Sequence, residues 1–328
     1  MFTDFKYVRP GNLEQAVEQL RTGDRAQVHA GGTDLLSCLR DQVYSLDKVV
    51  SLSGIDGLRS IEKTAKGGLR IGALTTITEV AESDAVQGGY PGLAQAAREV
   101  ASPQLRNQGT LGGNLCQKPR CWYYRGEFHC LRKGGPRCFA VAGENQFHCI
   151  LGGAGCFIVH PSDTAPALAA LGASLTIAGP ESKRTVKVED FLVPPSKNPL
   201  RETVLEPDEI LTHIVLPPPP KGLYSAYRKV RARRSWDFAL AGVALALVLD
   251  GGTVAEASIF LSGAAPIPWR AEEAEKAIAG RPIDAQTAAA AGRAAMERAR
   301  PMTQNGYKVS LFEGVIEEEL LKAGASAA

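Results

Sequence analysis

Apolar positions along the chain alternate between helical and strand spacing. In NLEQAVEQLR (12–21) they recur every three or four residues, which predicts a helix stopping near Gly23. AQVHAGGTDLLSCLRD then reads as a short strand, a double glycine and a helix opened by Thr33 or Asp34. LRIGALTTITEVAES repeats the order strand, turn, helix, and the helical GLAQAAREVAS runs into a second glycine-rich loop, RNQGTLGGNL. PSDTAPALAALGASLTIAG predicts a capped helix, a stop at Gly172 and a strand. Nearer the C-terminus, DFALAGVALALVLDGGTVAEASIFLSG reads as two strands joined by an Asp-Gly-Gly turn. Three helices follow: AEEAEKAIAG, DAQTAAAAGRAAMERAR with Asp284 as cap, and LFEGVIEEELLKA. No repeat of fixed period is present, and the alanine-rich 285–295 stretch reflects helix propensity.

The four prolines of VLPPPPKG can continue neither strand nor helix and mark the clearest domain boundary. At 328 residues the chain is long enough for two or three domains, with 45% hydrophobic and 22% charged residues as in a globular protein. A net charge of +2 with no basic stripe excludes an electrostatic case for nucleic acid. MFTDFKYVRPGN has no charged region followed by an apolar core, so no signal peptide is expected. The longest apolar run, Phe238 to Leu249, falls short of the roughly 18 to 20 residues of a membrane span.

Two features carry candidate chemistry. In HAGGTDLL, Gly31 and Gly32 let backbone N–H groups approach an anion, and the helix dipole at Thr33 favours negative charge. TLGGNL (110–115) repeats the device, with Thr110 and Asn114 as side-chain donors. A turn that needs only positive φ explains either loop alone. Two such loops favour a ligand with more than one phosphate, such as a dinucleotide. Neither G-x-G-x-x-G nor the P-loop pattern is present, so the phosphates must be held in another way.

The second feature is NLCQKPRCWYYRGEFHCLRKGGPRCFAVAGENQFHCILGGAGCFIVHP, which holds six of the seven cysteines: 116, 121, 130, 138, 149 and 156. Such clustering in a large chain points to metal or redox work, not a secreted disulfide framework. No pair is spaced C-x-x-C, which argues against zinc ribbons and thioredoxin chemistry. Long, irregular gaps suit a loop that wraps an object and offers ligands one at a time, as four thiolates do around iron and sulfide. Zinc bound by four cysteines, or with His129 and His148 substituting, stays open at this point. So does burial of one or two of the cysteines as small apolar residues. Lys118, Arg120, Arg125, Arg132, Lys133 and Arg137 run through the segment, where they would offset a cluster's negative charge or sit on a solvated loop.

AGGTDLL, RNQGTLGGNL, HPSDTAPALAALGA and YRKVRARRSWDFALAGVAL, in that order, resemble the FAD-binding subunit of the xanthine dehydrogenase family of molybdenum hydroxylases. The resemblance covers essentially the whole chain. It implies an α+β fold: a vanillyl-alcohol-oxidase-type FAD-binding domain of two subdomains, 1–58 and 59–220, then a carbon monoxide dehydrogenase flavoprotein-like α+β domain at 221–328. Most members lack a cysteine-rich insertion. The segment at about 115–158 looks like the extra segment of periplasmic aldehyde oxidoreductases and 4-hydroxybenzoyl-CoA reductase, which carries a [4Fe-4S] cluster. That likeness favours Cys121, Cys130, Cys138 and Cys156 as ligands, leaves Cys116 and Cys149 spare, and makes Cys149 the first substitute. The 17 residues between Cys138 and Cys156 exceed the reductase gap, which favours the aldehyde-oxidising relatives.

By the same resemblance, Ala30, Gly31, Gly32, Thr33, Asp34 and Leu35, with Thr110, Gly112, Gly113 and Asn114, would cradle the FAD pyrophosphate. Ala101 would touch the flavin through its backbone. Asp163 would sit near the cofactor's sugar or polar chain, although the N-cap of the helix beginning there suits it as well. Lys229 would lie near the isoalloxazine, or else be one exposed cation in a basic loop. Trp236 and Asp237 are expected to lead into a strand that packs the C-terminal domain, and Trp122, Tyr123 and Tyr124 to pack around the cluster. The implied partners are a large molybdopterin subunit, a small subunit with two [2Fe-2S] clusters and an external electron acceptor. The implied compartment is cytoplasmic, or periplasmic by co-export with a signal-bearing partner. A zinc-stabilised interaction module without flavin and a stand-alone flavin oxidase are the alternatives. No substrate base or covalent flavin anchor is recognisable for the latter.

Overall fold

A computed structural model describes residues 3–22 and 25–327, so the expected helix stop at Gly23 lies outside the described residues. Three sheets organise the chain. The first is parallel, in the order β1-β3-β2, from β1 (Lys6–Val8), β2 (Ala26–His29) and β3 (Lys48–Ser51). The helix Leu13–Arg21 connects its first two strands, capped where Asn12 Oδ1 accepts from Gln15 N at 2.8 Å, and it buries Ala16, Val17 and Leu20.

The second sheet is antiparallel, in the order β4-β5-β8-β6-β7. It comprises β4 (Ile61–Lys63), β5 (Leu69–Gly72), β6 (Ser174–Ala178), β7 (Lys183–Lys187) and β8 (Ile210–Leu216). The chain leaves β5 for a group of short helices, the cysteine segment and the helix Thr164–Ala170, and only then returns to β6. Every residue of Thr164–Ala170 is buried, because it packs between neighbouring short helices and the sheet that follows.

The prolines 217–220 separate β8 from β9 (Leu223–Val230), which opens the third sheet with β10 (Ala241–Asp250), β11 (Thr253–Ser262) and β12 (Trp269–Arg270). The expected hairpin joins β10 to β11, and Gly251 and Gly252 take φ of +55° and +82°, as a two-residue hairpin turn requires. The apolar run in β10 has a physical reason. Val243, Leu245 and Leu247 face the C-terminal helices, while Ala244 and Ala246 join the core beneath the second sheet, so both faces are covered. The helices Glu272–Ile278, Ala285–Met296 and Tyr307–Ala327 fall where their patterns place them. No helix among the described residues is long and apolar enough to cross a membrane.

The structure amends the sequence reading in two places. RNQGTLGGNL is not one loop: it is divided between the helices Pro103–Gln108 and Leu111–Leu115. The cysteine segment has little regular structure, yet it is packed at both ends. Ile150 and Leu151 belong to the C-terminal core, and Asn145, Asn305 and Lys308 tie the segment to the start of the last helix.

Candidate functional site

A cleft of about 1130 Å³ opens where the three sheets meet, and every residue expected to hold the dinucleotide lies on its wall. These are Ala30 to Leu35, Ala101, Thr110, Gly112 to Asn114, Asp163 and Lys229. The two glycine stretches lie one against the other. A Cβ on Gly31 would stand 2.0 Å from the Gln108 carbonyl oxygen, and Gly109 lies beside the Thr33 hydroxyl. Only bare backbone allows so close an approach.

The two stretches differ in what they offer. The amides of Gly31, Gly32, Thr33 and Asp34 have no hydrogen-bond acceptor among the described residues, and Gly32 takes φ +72°. Four consecutive unpaired amides on a cleft wall form an anion cradle. The second stretch does not repeat this device. The amides of Leu111, Gly112 and Asn114 donate to carbonyls of Thr75, Ala73 and Thr110, and that of Gly113 to the Thr110 hydroxyl at 3.1 Å. What it offers is a side chain. Asn114 Oδ1 accepts from Ser162 Oγ at 2.5 Å and Thr164 Oγ1 at 2.7 Å, leaving Nδ2 without a partner among the described residues.

Four sequence expectations are corrected here. Asp34 stands at a helix start without capping it, because its carboxylate accepts from Lys118 N, Arg120 and Arg125 of the cysteine segment. Asp163 occupies the N-cap position without capping either, and Ser162 Oγ accepts from Ala165 N instead. The Asp163 carboxylate bonds Lys229 Nζ at 2.8 Å and Tyr227 OH at 2.7 Å; burial holds its pKa above the usual aspartate value, against the pull of Lys229 and Tyr227. Lys229 is not an exposed cation: it projects from β9, its side chain is 1% exposed, and it also donates to the Glu99 carbonyl. Trp236 does not pack the C-terminal domain. It lies 64% exposed at the cleft, ahead of β10, with φ +53°, and its amide donates to the carbonyl of Ala101, itself at φ +46°.

The cysteine segment encloses a second, narrow cavity. Cys121, Cys130, Cys138 and Cys156 all line it, together with Tyr123, Tyr124, Arg132 and His148. Cys116 faces the large cleft, and Cys149 is buried outside the cavity lining. His148 Nε2 lies 3.3 Å from Cys121 Sγ, whereas His129 is exposed and away from the cavity. Trp122 is half exposed and meets Phe147 edge-on, so only the two tyrosines pack at the cavity. Burial pushes the Cys121 thiol up to about 12. Among the described residues, no three His, Cys, Asp or Glu side chains converge closely enough for a single metal ion.

Sequence reasoning missed Arg120, Glu202 and Arg201 in the cleft wall. Arg201 and Glu202 come from an irregular stretch between β7 and β8, and nothing in their own sequence marks them. Arg120 stood in the basic cysteine segment, and its approach to Asp34 depends on the tertiary fold.

Comparison with known proteins agrees with this geometry. Residues 3–219 match the FAD binding domain in molybdopterin dehydrogenase, and residues 225–323 match the CO dehydrogenase flavoprotein C-terminal domain. The aldehyde oxidoreductase FAD-binding subunit PaoB of Escherichia coli (strain K12) is 36% identical over 98% of this chain and 99% of its own. The xanthine dehydrogenase FAD-binding subunit of Escherichia coli O157:H7 is 28% identical over 100% of this chain and 98% of its own. A chain of the solved carbon monoxide dehydrogenase of Hydrogenophaga pseudoflava superposes with a TM-score of 0.79 at 27% identity, covering 100% of this chain and 99% of that one. With its glycine-lined cleft and both domains matched along their length, this chain belongs to the FAD-binding medium subunits of the xanthine dehydrogenase and carbon monoxide dehydrogenase family.

Proposed function

We propose that this chain is the electron-transfer subunit of a heterotrimeric molybdenum hydroxylase of the aldehyde-oxidising type. It holds FAD in the large cleft and a [4Fe-4S] cluster in the cysteine segment. A large molybdopterin subunit and a small [2Fe-2S] subunit deliver electrons, and an external acceptor removes them. The full-length likeness to an aldehyde oxidoreductase subunit supports the substrate class. We propose the division 1–58, 59–220 and 221–328 for its domains. The observation that carries the reading is the row of unpaired amides from Gly31 to Asp34 opposite Asn114, in a cleft that no side chain fills.

When bound, FAD and an iron–sulfur cube supply reversible electron transfer; the chain supplies binding, orientation and local charge. Gly31 to Asp34 would hold the pyrophosphate by their amides, with Asn114 Nδ2 and the Thr110 hydroxyl opposite. The Asp163–Lys229 pair keeps a buried, fixed dipole on the cleft wall. Trp236 and Phe238, both exposed beside the cleft, guard its mouth.

For the cluster, the supporting observation is the arrangement of the four thiols. A [4Fe-4S] cluster would take one thiolate at each of its four irons, so its ligands would stand apart around a shared cavity. All four of these cysteines line one cavity.

An absorption spectrum with flavin, iron and zinc assays on one sample tests the reading. Flavin bands over a broad brown shoulder, with about four irons per chain, are the expected result. A colourless protein with zinc would remove the redox reading, and flavin without metal would remove the cluster alone.

A further inference from the structure

Most cations of the cysteine segment turn away from its thiols, although Arg132 also lines their cavity and reaches Cys156. Lys118 donates its amide to Asp34 at 2.7 Å and its ammonium to Glu202. Arg120 and Arg125 hold Asp34 at 2.9 and 2.7 Å, and Arg132 holds Glu202 at 3.0 Å. Lys133 instead bonds the Gly126 carbonyl, and Arg137 lies over the Phe139 ring. Both carboxylates sit in the wall of the large cleft, 17% and 8% exposed, and no cation outside the segment pairs with either among the described residues. The described lining of the cleft carries six carboxylates and six cations, and two of those cations, Lys118 and Arg120, belong to the segment. With the segment displaced, the lining turns net negative, and Asp34 stands uncompensated at the end of the amide cradle. A buried carboxylate stripped of its cation is costly, and it repels an incoming diphosphate.

We propose that the cysteine segment is an electrostatic part of the dinucleotide site. Its Lys118, Arg120, Arg125 and Arg132 neutralise Asp34 and Glu202, so affinity for the dinucleotide depends on the segment being folded on its metal. These are positioning residues, because they act through the two carboxylates. The inference rests on the FAD reading above and adds to it a dependence of one cofactor site on the other.

The test titrates FAD into protein freed of flavin and follows the quenching of FAD fluorescence, with iron content assayed on every sample. Lys118→Met is expected to raise the Kd about tenfold at unchanged iron content, because the cleft wall loses one positive charge while Glu202 keeps only Arg132. Adding Glu202→Gln to that variant restores the net charge of the cleft wall and is expected to return the Kd to within about threefold of wild type. Wild-type protein stripped of iron by a chelator is expected to bind at least as weakly as the single variant. An unchanged Kd in Lys118→Met, a double variant no better than the single, or full affinity without iron would each overturn the proposal. Wild-type protein with iron that binds no FAD would overturn the function reading itself, and this inference with it.

Discussion

Gly31 tolerates no side chain, because an added Cβ would meet the backbone carbonyl of Gln108, which cannot swing aside. Gly31→Ala is therefore expected to lose roughly 1–3 kcal/mol of stability and most FAD binding. Gly88, exposed in the helix Asp84–Gly89 with open space around it, supplies the control. Gly88→Ala should gain about 0.5–1 kcal/mol and leave FAD binding alone, as read from urea midpoints and FAD titration. His160 gives the residue-scale pH dependence. Its Nδ1 accepts from Ser162 N and the ring is wholly buried, so burial outweighs a hydrogen bond to the Leu115 backbone and depresses its pKa to about 4. Its folded pKa lies below the unfolded value of 6.5, so its contribution to stability is full above 6.5 and drains away as pH falls towards 4. The urea midpoint of His160→Gln should change less between those limits than that of wild type; an identical slope would remove His160 from the account. At this scale the sequence spoke for glycines, since a missing side chain is a backbone statement. It named Asp34 and Lys229 but not their partners, which lie 91 and 66 residues away.

At the scale of elements, legibility followed capping and periodicity. Asp284 Oδ1 accepts from both the amide and the hydroxyl of Thr287 at 2.7 Å, and the helix Ala285–Met296 begins where its cap predicts. Asp284→Ala should lower stability by about 1 kcal/mol with FAD affinity unchanged, because no residue of that helix reaches the cleft. A fall in affinity would show that the C-terminal helices are coupled to the cleft. Short elements were not legible. β1, β4 and β12 have three, three and two residues, too few to display a period, and tertiary pairing alone makes them strands. The cysteine segment had none to display, since its loops are held by side chains bonded to distant carbonyls.

Across the whole molecule, the segment is a strut with one end in the cleft wall and the other in the C-terminal core. Arg132 bonds the carbonyls of Pro199 and Arg201 on one side. On the other, Asn305 bonds those of His148 and Cys149, and the buried Lys308, its pKa lowered to about 8 by burial, bonds those of Phe147 and Gly263. On the proposed cluster reading, chelating iron from the purified protein should therefore lower one cooperative thermal midpoint for the entire chain. A separate early transition, with the main one unmoved, would make the segment an independent unit. The clasp between Asn145 and Gln304 joins positions 159 residues apart, and it sets an order on biosynthesis. The cysteines leave the ribosome long before the residues that brace them. The nascent chain must carry its thiols unsupported until residues 304–308 have emerged, so insertion of the proposed metal would wait on that late stretch.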